Sequence, residues 1–228
     1  MIVPKLSRNT GKVTVSFMFS DDSTTKSVHV HKRFPERLSF LLYNPIRRRF
    51  NSPTHLLSRL RVGGDDVVVD FGCGPGFYTI PLARIAARTI GVDVSAGMLQ
   101  QADKNCEKNS VRVELIQSDG RSIDLEEESI DLILMVHVFH EIGHKEEVLG
   151  EFSRILNTSG RLAIVERTRA SGFLSRRFGP PVIEHDDIVD SLNVSGFDVV
   201  EVVEIGEDSV IIANRPTSDR DSSLRYLR

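Results

Sequence analysis

At 228 residues, with a formal charge of −3 and a pI near 6.2, the chain has the length of one domain with additions. It lacks the basic balance of a dedicated nucleic-acid binder. Two cysteines, Cys73 and Cys106, make neither a disulfide framework nor a cysteine zinc site, as suits a reducing cytoplasm.

The chain begins Met1-Ile2-Val3-Pro4-Lys5, without the apolar core of a secretory signal. No apolar run approaches the roughly 18 residues of a membrane span, so neither membrane nor nucleic acid is expected as a partner. Val13, Val15, Phe17 and Phe19 alternate with polar residues, and Val28 and Val30 do so again. That pattern predicts a hairpin turning at Asp21-Asp22-Ser23. A short helix over residues 36–43 follows Pro35, broken at Asn44-Pro45, and a second runs over 53–60. The arginines Arg47, Arg48 and Arg49 form a charge run, read as a solvated helix face or, without a wider basic field, a weak nucleic-acid patch. Residues 1–50 are thus an N-terminal extension.

The chain is organised around residues 67–76. Val67-Val68-Val69-Asp70 predicts a buried parallel strand ending in an acid. Gly72-Cys73-Gly74-Pro75-Gly76 then predicts a tight turn that lets a ligand approach the backbone. Phe77, Ile80, Ala83 and Ala87 resume at helical spacing. Strand, glycine turn and helix open a nucleotide-binding α/β domain. A dinucleotide turn, G-x-G-x-x-G, would need glycine where Phe77 or Thr79 stands, and no P-loop Gly-Lys-Ser/Thr follows. An NAD-dependent oxidoreductase is therefore disfavoured.

Residues 89–93 predict a second strand, ending in Asp93 about 20 residues after Gly72, where a ribose-binding acid is expected. A carboxylate there can accept from both ribose hydroxyls. Ser95 caps a helix over 96–108. Residues 111–117 predict a third strand, followed by Ser118-Asp119-Gly120. A fourth runs over 130–138. It leads into His140-Glu141-x-x-His144, formally a zinc-hydrolase motif. That motif needs one continuous helix, whereas this copy starts at a strand end and contains Gly143, so no metal site is assigned. A helix over 145–156, a strand over 161–166 and a helix over 187–194 follow. A hairpin of 199–205 and 209–213 closes the domain, leaving residues 215–228 as a polar tail, expected to be disordered.

The turn Asp70-x-Gly72-x-Gly74-x-Gly76 with Asp93 resembles the class I S-adenosylmethionine-dependent methyltransferases. The resemblance covers residues 51–214. Leu156-Asn157-Thr158-Ser159-Gly160 matches the family's later Leu-Lys-Pro-Gly-Gly turn only in part. It implies an α/β fold: a Rossmann-like, mostly parallel seven-stranded sheet with a C-terminal antiparallel hairpin and helices on both faces, plus the N-terminal extension. It implies S-adenosyl-L-methionine as cofactor. Gly72, Cys73, Gly74 and Gly76 would lie against its methionine part, and Asp70 would orient its amino group directly or through water. Asp93 would hold the ribose, with Val94 and Met98 beside ribose and adenine. Asp119 would accept the adenine amino group, and the Gly120 amide would meet the ring. His137 would lie against the cofactor, with His140 and Glu141 facing the substrate pocket. Tyr43 and the three arginines would belong to a lid near the methionine carboxylate.

The implied reaction is in-line methyl transfer to a small-molecule acceptor, without a metal, and the nearest group includes quinone-biosynthesis C-methyltransferases. No Asp/Asn-Pro-Pro-aromatic motif of base-amino methyltransferases follows the fourth strand. If the acceptor must lose a proton, His137, His140 and His185 are the candidate bases. The alternative is a regulatory module that binds S-adenosylmethionine without turnover.

Overall fold

The computed structural model describes residues 5–9 and 12–16, as backbone, and residues 53–170 and 182–216. The chain divides into two units, Met1–Phe34 and Pro35–Arg228. In the first, β1 (Lys5–Asn9) pairs antiparallel with β2 (Lys12–Ser16), Lys5 opposite Ser16. Val13 and Val15 are therefore in a strand as their alternation predicts, and among the described residues its partner lies upstream. Lys5-Leu6-Ser7-Arg8-Asn9 holds one apolar residue, so periodicity alone cannot find it. The expected turn at residues 21–23, the strand at 28–30 and the helix at 36–43 fall outside the described residues, as do Tyr43, the three arginines and residues 217–228.

The second unit is built on seven strands: β3 (Val67–Phe71), β4 (Arg88–Asp93), β5 (Glu114–Gln117), β6 (Ile130–Val136), β7 (Leu156–Arg167), β8 (Asp198–Ile205) and β9 (Asp208–Asn214). Their order in the sheet is β5-β4-β3-β6-β7-β9-β8. The first five are parallel, and the last two form the antiparallel hairpin that the sequence predicts. The chain fills the sheet outward from β3 in one direction, then returns to fill it in the other. The reversal opens a crevice at the carboxyl ends of β3 and β6, where α/β sheets bind ligands.

The strands are apolar on both faces, so each alternation feeds two cores. Ile133, Met135, Leu162, Ile164, Ile211 and Ala213 pack with α4 (Lys145–Ile155) and α5 (His185–Val194). Leu132, Leu134, Ala163, Val165, Val210 and Ile212 pack with α1 (Pro53–Arg59) and α2 (Thr79–Leu82). The remaining helix, α3 (Ala96–Lys108), starts at Ser95, whose hydroxyl accepts the Met98 amide at 3.2 Å. Such a cap satisfies one of the first amides of a helix.

Strand β5 starts at Glu114 and not at Val111, and two further elements stop early. Helix α2 stops at Leu82 and not near Ala87. Beyond it the amides of Arg84 and Ile85 bond three residues back, to Pro81 and Leu82, a tighter winding that ends helices. Strand β6 stops at Val136 because His137 takes a left-handed φ of 57°. At the far edge β8 carries a register irregularity between Val199 and Glu201, with Val200 and Val202 exposed. Among the described residues, no helix is long and apolar enough to cross a membrane.

Candidate functional site

The crevice is lined first by the glycine turn. Asp70 is buried at the end of β3 and accepts the hydroxyl of Thr79, the first residue of α2. Burial raises its pKa to about 7. The Thr79 bond offsets part of that rise, and the charge of Asp93 adds to it. The amides of Gly72 and Cys73 both donate to the Val92 carbonyl, at 2.7 and 3.0 Å, which sews the turn to β4. Gly72 has φ +73°, and a Cβ there would sit 2.3 Å from Val138 Cγ2. Gly74 has φ +51°, and a Cβ there would meet nothing within 4 Å. One glycine is required by close packing; the other leaves an open side.

Asp93 ends β4 and spans the crevice floor. Its Oδ2 accepts the Gly74 amide at 2.9 Å, and its Oδ1 accepts the Ser95 amide at 2.9 Å. It therefore braces both the glycine turn and the start of α3. Val94 beside it is 37% exposed, whereas Met98 is buried. Cys73 is also buried, and burial first, then the Asp70 and Asp93 carboxylates, push its thiol up, away from a reactive thiolate.

Beyond β5, Asp119 is exposed and paired with Arg121, whose Nε donates at 2.9 Å. That hydrogen bond, first among its causes, holds the carboxyl below the usual range. Gly120 is buried at φ +90°, where a Cβ would strike the Phe71 ring at 2.6 Å. Its amide donates to Ser118 Oγ at 3.0 Å.

The other wall is the chain leaving β6. The left-handed turn at His137 swings its ring toward the sheet's antiparallel end, with Nε2 3.5 Å from Asp208 Oδ2. Phe139–Glu141 form a single 3₁₀ turn, after which Ile142 is extended and α4 starts at Lys145. The spacing of His140 and His144 is thus not carried by one helix, and the exposed His144 lies by Glu147 at 3.5 Å. His140 Nδ1 lies 3.0 and 3.2 Å from the oxygens of Glu166, which is fully buried at the end of β7. Glu141, its neighbour in sequence, is 3.8 Å from Nε2. Burial opposes protonation of His140, but the Glu166 bond and the Glu166 and Glu141 charges outweigh it, so its pKa is raised. His185, at the start of α5, is half-buried and paired with Asp186 at 3.0 Å.

Of the residues singled out in sequence, the structure gathers Asp70, Gly72, Gly74 and Asp93 most tightly. Thr79, Glu166 and Asp208 are additions. Glu166 has a readable signal: Ala163-Ile164-Val165-Glu166 repeats the pattern of an apolar strand ending in an acid seen at Asp70 and Asp93.

The sequence profile of a methyltransferase domain family matches residues 69–164. The Ubiquinone biosynthesis O-methyltransferase of Rhodopseudomonas palustris (strain BisA53) is 25% identical over 150 residues, 65% of this chain and 56% of that protein. The Demethylmenaquinone methyltransferase of Tropheryma whipplei (strain Twist) is 30% identical over 117 residues, 51% of this chain and 48% of that protein. The chain thus spans about half the length of these curated relatives. Among solved structures, a SAM dependent methyltransferase from Aquifex aeolicus superposes with a TM-score of 0.74 at 25% identity, covering 80% of this chain and 100% of that one.

Proposed function

We infer that this chain, which belongs to the class I S-adenosyl-L-methionine-dependent methyltransferase family, transfers a methyl group from that cofactor to a small-molecule acceptor. The observation that carries this reading is the glycine turn in the crevice, left-handed at Gly72, Gly74 and Gly76 and braced by Asp93. The open side of Gly74 leaves room for a ligand against the backbone, and the donor set fits the cofactor's parts. Asp93, at the end of β4, is the acid for the ribose hydroxyls. Asp70, Gly72 and Cys73 line the place for the methionine part, Asp119 and Gly120 that for adenine, and Val94 and Met98 lie between.

When bound, the cofactor supplies a methyl carbon already activated by a sulfonium. The chain's own task is to hold an acceptor in line with that carbon at near-attack distance and to keep water out while charge spreads. His140 stands at the acceptor end of the crevice and can take a proton from a hydroxyl or an acidic carbon. The names of the quinone-biosynthesis relatives favour a phenol or quinol acceptor.

Calorimetric titration with S-adenosylhomocysteine, followed by product assay on a panel of phenols and quinols, tests the reading. Binding together with S-adenosylhomocysteine formation from S-adenosylmethionine is expected. Absence of binding overturns the family's function for this chain, and binding without turnover across the panel favours the regulatory module.

A further inference from the structure

The histidine of the acceptor end is held from behind by a residue with no assigned role. Glu166 is fully buried on the face of β7 shared with α4 and α5. Its carboxylate meets His140 twice: Oε1 accepts the His140 amide at 3.3 Å, and the ring Nδ1 lies 3.0 Å from Oε2. A carboxylate that accepts at both oxygens is matched by a ring that donates from Nδ1. The neutral ring then has its lone pair on Nε2, the edge turned away from Glu166. The turn bearing His140 follows Val138, whose methyl groups fill the space over Gly72, so the two turns are neighbours.

Resting on the methyltransferase reading, we propose that Glu166 is a positioning residue that fixes the proton of His140 on Nδ1 and so presents Nε2 as the proton acceptor for the methyl acceptor's X–H group. The X–H proton passes to Nε2, and the electron pair left on X forms the bond to the methyl carbon. The S–CH3 bond breaks with its pair on sulfur, so the sulfonium becomes a neutral thioether. The imidazolium is stabilised by Glu166 and returns its proton to solvent. The other charged groups facing the ring are Glu141, on its own turn, and Lys145, at the start of α4. Lys145 donates to the Ile142 carbonyl at 3.0 Å, which ties it down beside the turn. This role assigns Glu166 a function that packing alone would not need, since an acid buried without a partner is costly.

The test is 15N spectroscopy of the histidine rings in the full chain, alone and with S-adenosylhomocysteine, with His140→Asn to assign the signal. The expected wild-type result is a neutral form protonated on Nδ1, titrating above an ordinary histidine. In Glu166→Gln the titration shifts down and the tautomer is no longer fixed, and Glu166→Asp restores part of both. A wild-type neutral form protonated on Nε2, or a Glu166→Gln titration unchanged from wild type, overturns the proposal. If Glu166→Gln does not fold, the wild-type tautomer decides alone. S-adenosylhomocysteine affinity in the same samples separates the two readings. Intact affinity with the wrong tautomer sinks only the role of Glu166, whereas absent affinity sinks the methyltransferase reading beneath it.

Discussion

Asp93 carries two loads at once. It is the candidate ribose acid, and it already holds the Gly74 and Ser95 amides. Asp93→Ala should therefore weaken S-adenosylmethionine binding by about 2–3 kcal/mol, for two hydrogen bonds to a charged acceptor, and also loosen the empty protein. Calorimetry read beside a denaturation curve checks both. Unchanged affinity in a folded variant would remove Asp93 from the site. His140 is different because it braces nothing in the cofactor half. His140→Ala should lower turnover about 10²–10⁴-fold while leaving cofactor affinity nearly unchanged. Turnover within twofold of wild type would make the ring a structural filler. The sequence exposed these two residues unequally. Asp93 follows an apolar strand at a spacing that geometry dictates, so its place is legible. The partner of His140 lies 26 residues on, on a neighbouring strand, and no local rule connects them. The adjacent Glu141 is near in sequence, but its side chain is 41% exposed whereas that of Glu166 is fully buried.

At the scale of the element, the glycine turn separates packing from access. A non-glycine residue in the left-handed region costs about 1–2 kcal/mol. Gly72→Ala adds a clash with Val138 at 2.3 Å, so about 3 kcal/mol or more of stability should be lost. Gly74→Ala meets no neighbour and should cost only about 1 kcal/mol of stability, yet fill the open side and abolish tight cofactor binding. Urea melts and cofactor titrations of the two variants should thus rank them in opposite orders. Equal losses in both assays would mean that the turn acts as a single packed unit. This turn was readable because glycine spacing reports backbone demand directly. The truncation of α2 was not, because Phe77, Ile80, Ala83 and Ala87 keep helical spacing while the chain tightens after Pro81. Nor was the bend at His137, since nothing in Val136-His137-Val138 announces a positive φ.

Across the whole molecule, the strands were legible because parallel strands buried on two faces are continuous apolar runs, and the mostly parallel sheet with its closing hairpin followed from the family resemblance; the strand order was not legible, because apolar runs carry no record of which strand lies beside which. The pairing of β1 was not, because its sequence is nearly all polar. The buried acids add a global property. Asp70 is raised from 3.8 to about 7, so its contribution is full below 3.8 and is lost as pH rises through about 7, when a charge must be buried. His140 is raised above 6.5, so its contribution is full below 6.5 and is lost as pH climbs past its folded value. Both make the empty protein less stable at pH 8 than at pH 5. Asp70→Asn should remove about 2–3 kcal/mol of that decline, measured by denaturant melts at the two pH values. A wild-type curve flat between them would mean that Asp70 is charged throughout. The reversal of strand order at β3 has a hereditary consequence. One half of the sheet, β3 to β5, bears Asp70, the glycine turn and Asp93, and the chain reaches Asp119 as it leaves β5. The other half, β6 to β9, bears His140 and Glu166. The halves meet along the pairing of β3 with β6, and the chain crosses between them once, through residues 118–129. A single recombination in that segment would exchange the half bearing His140 and Glu166 for a relative's and leave the half bearing the glycine turn and Asp93 intact. A lineage with this architecture can change what it modifies without rebuilding what it carries.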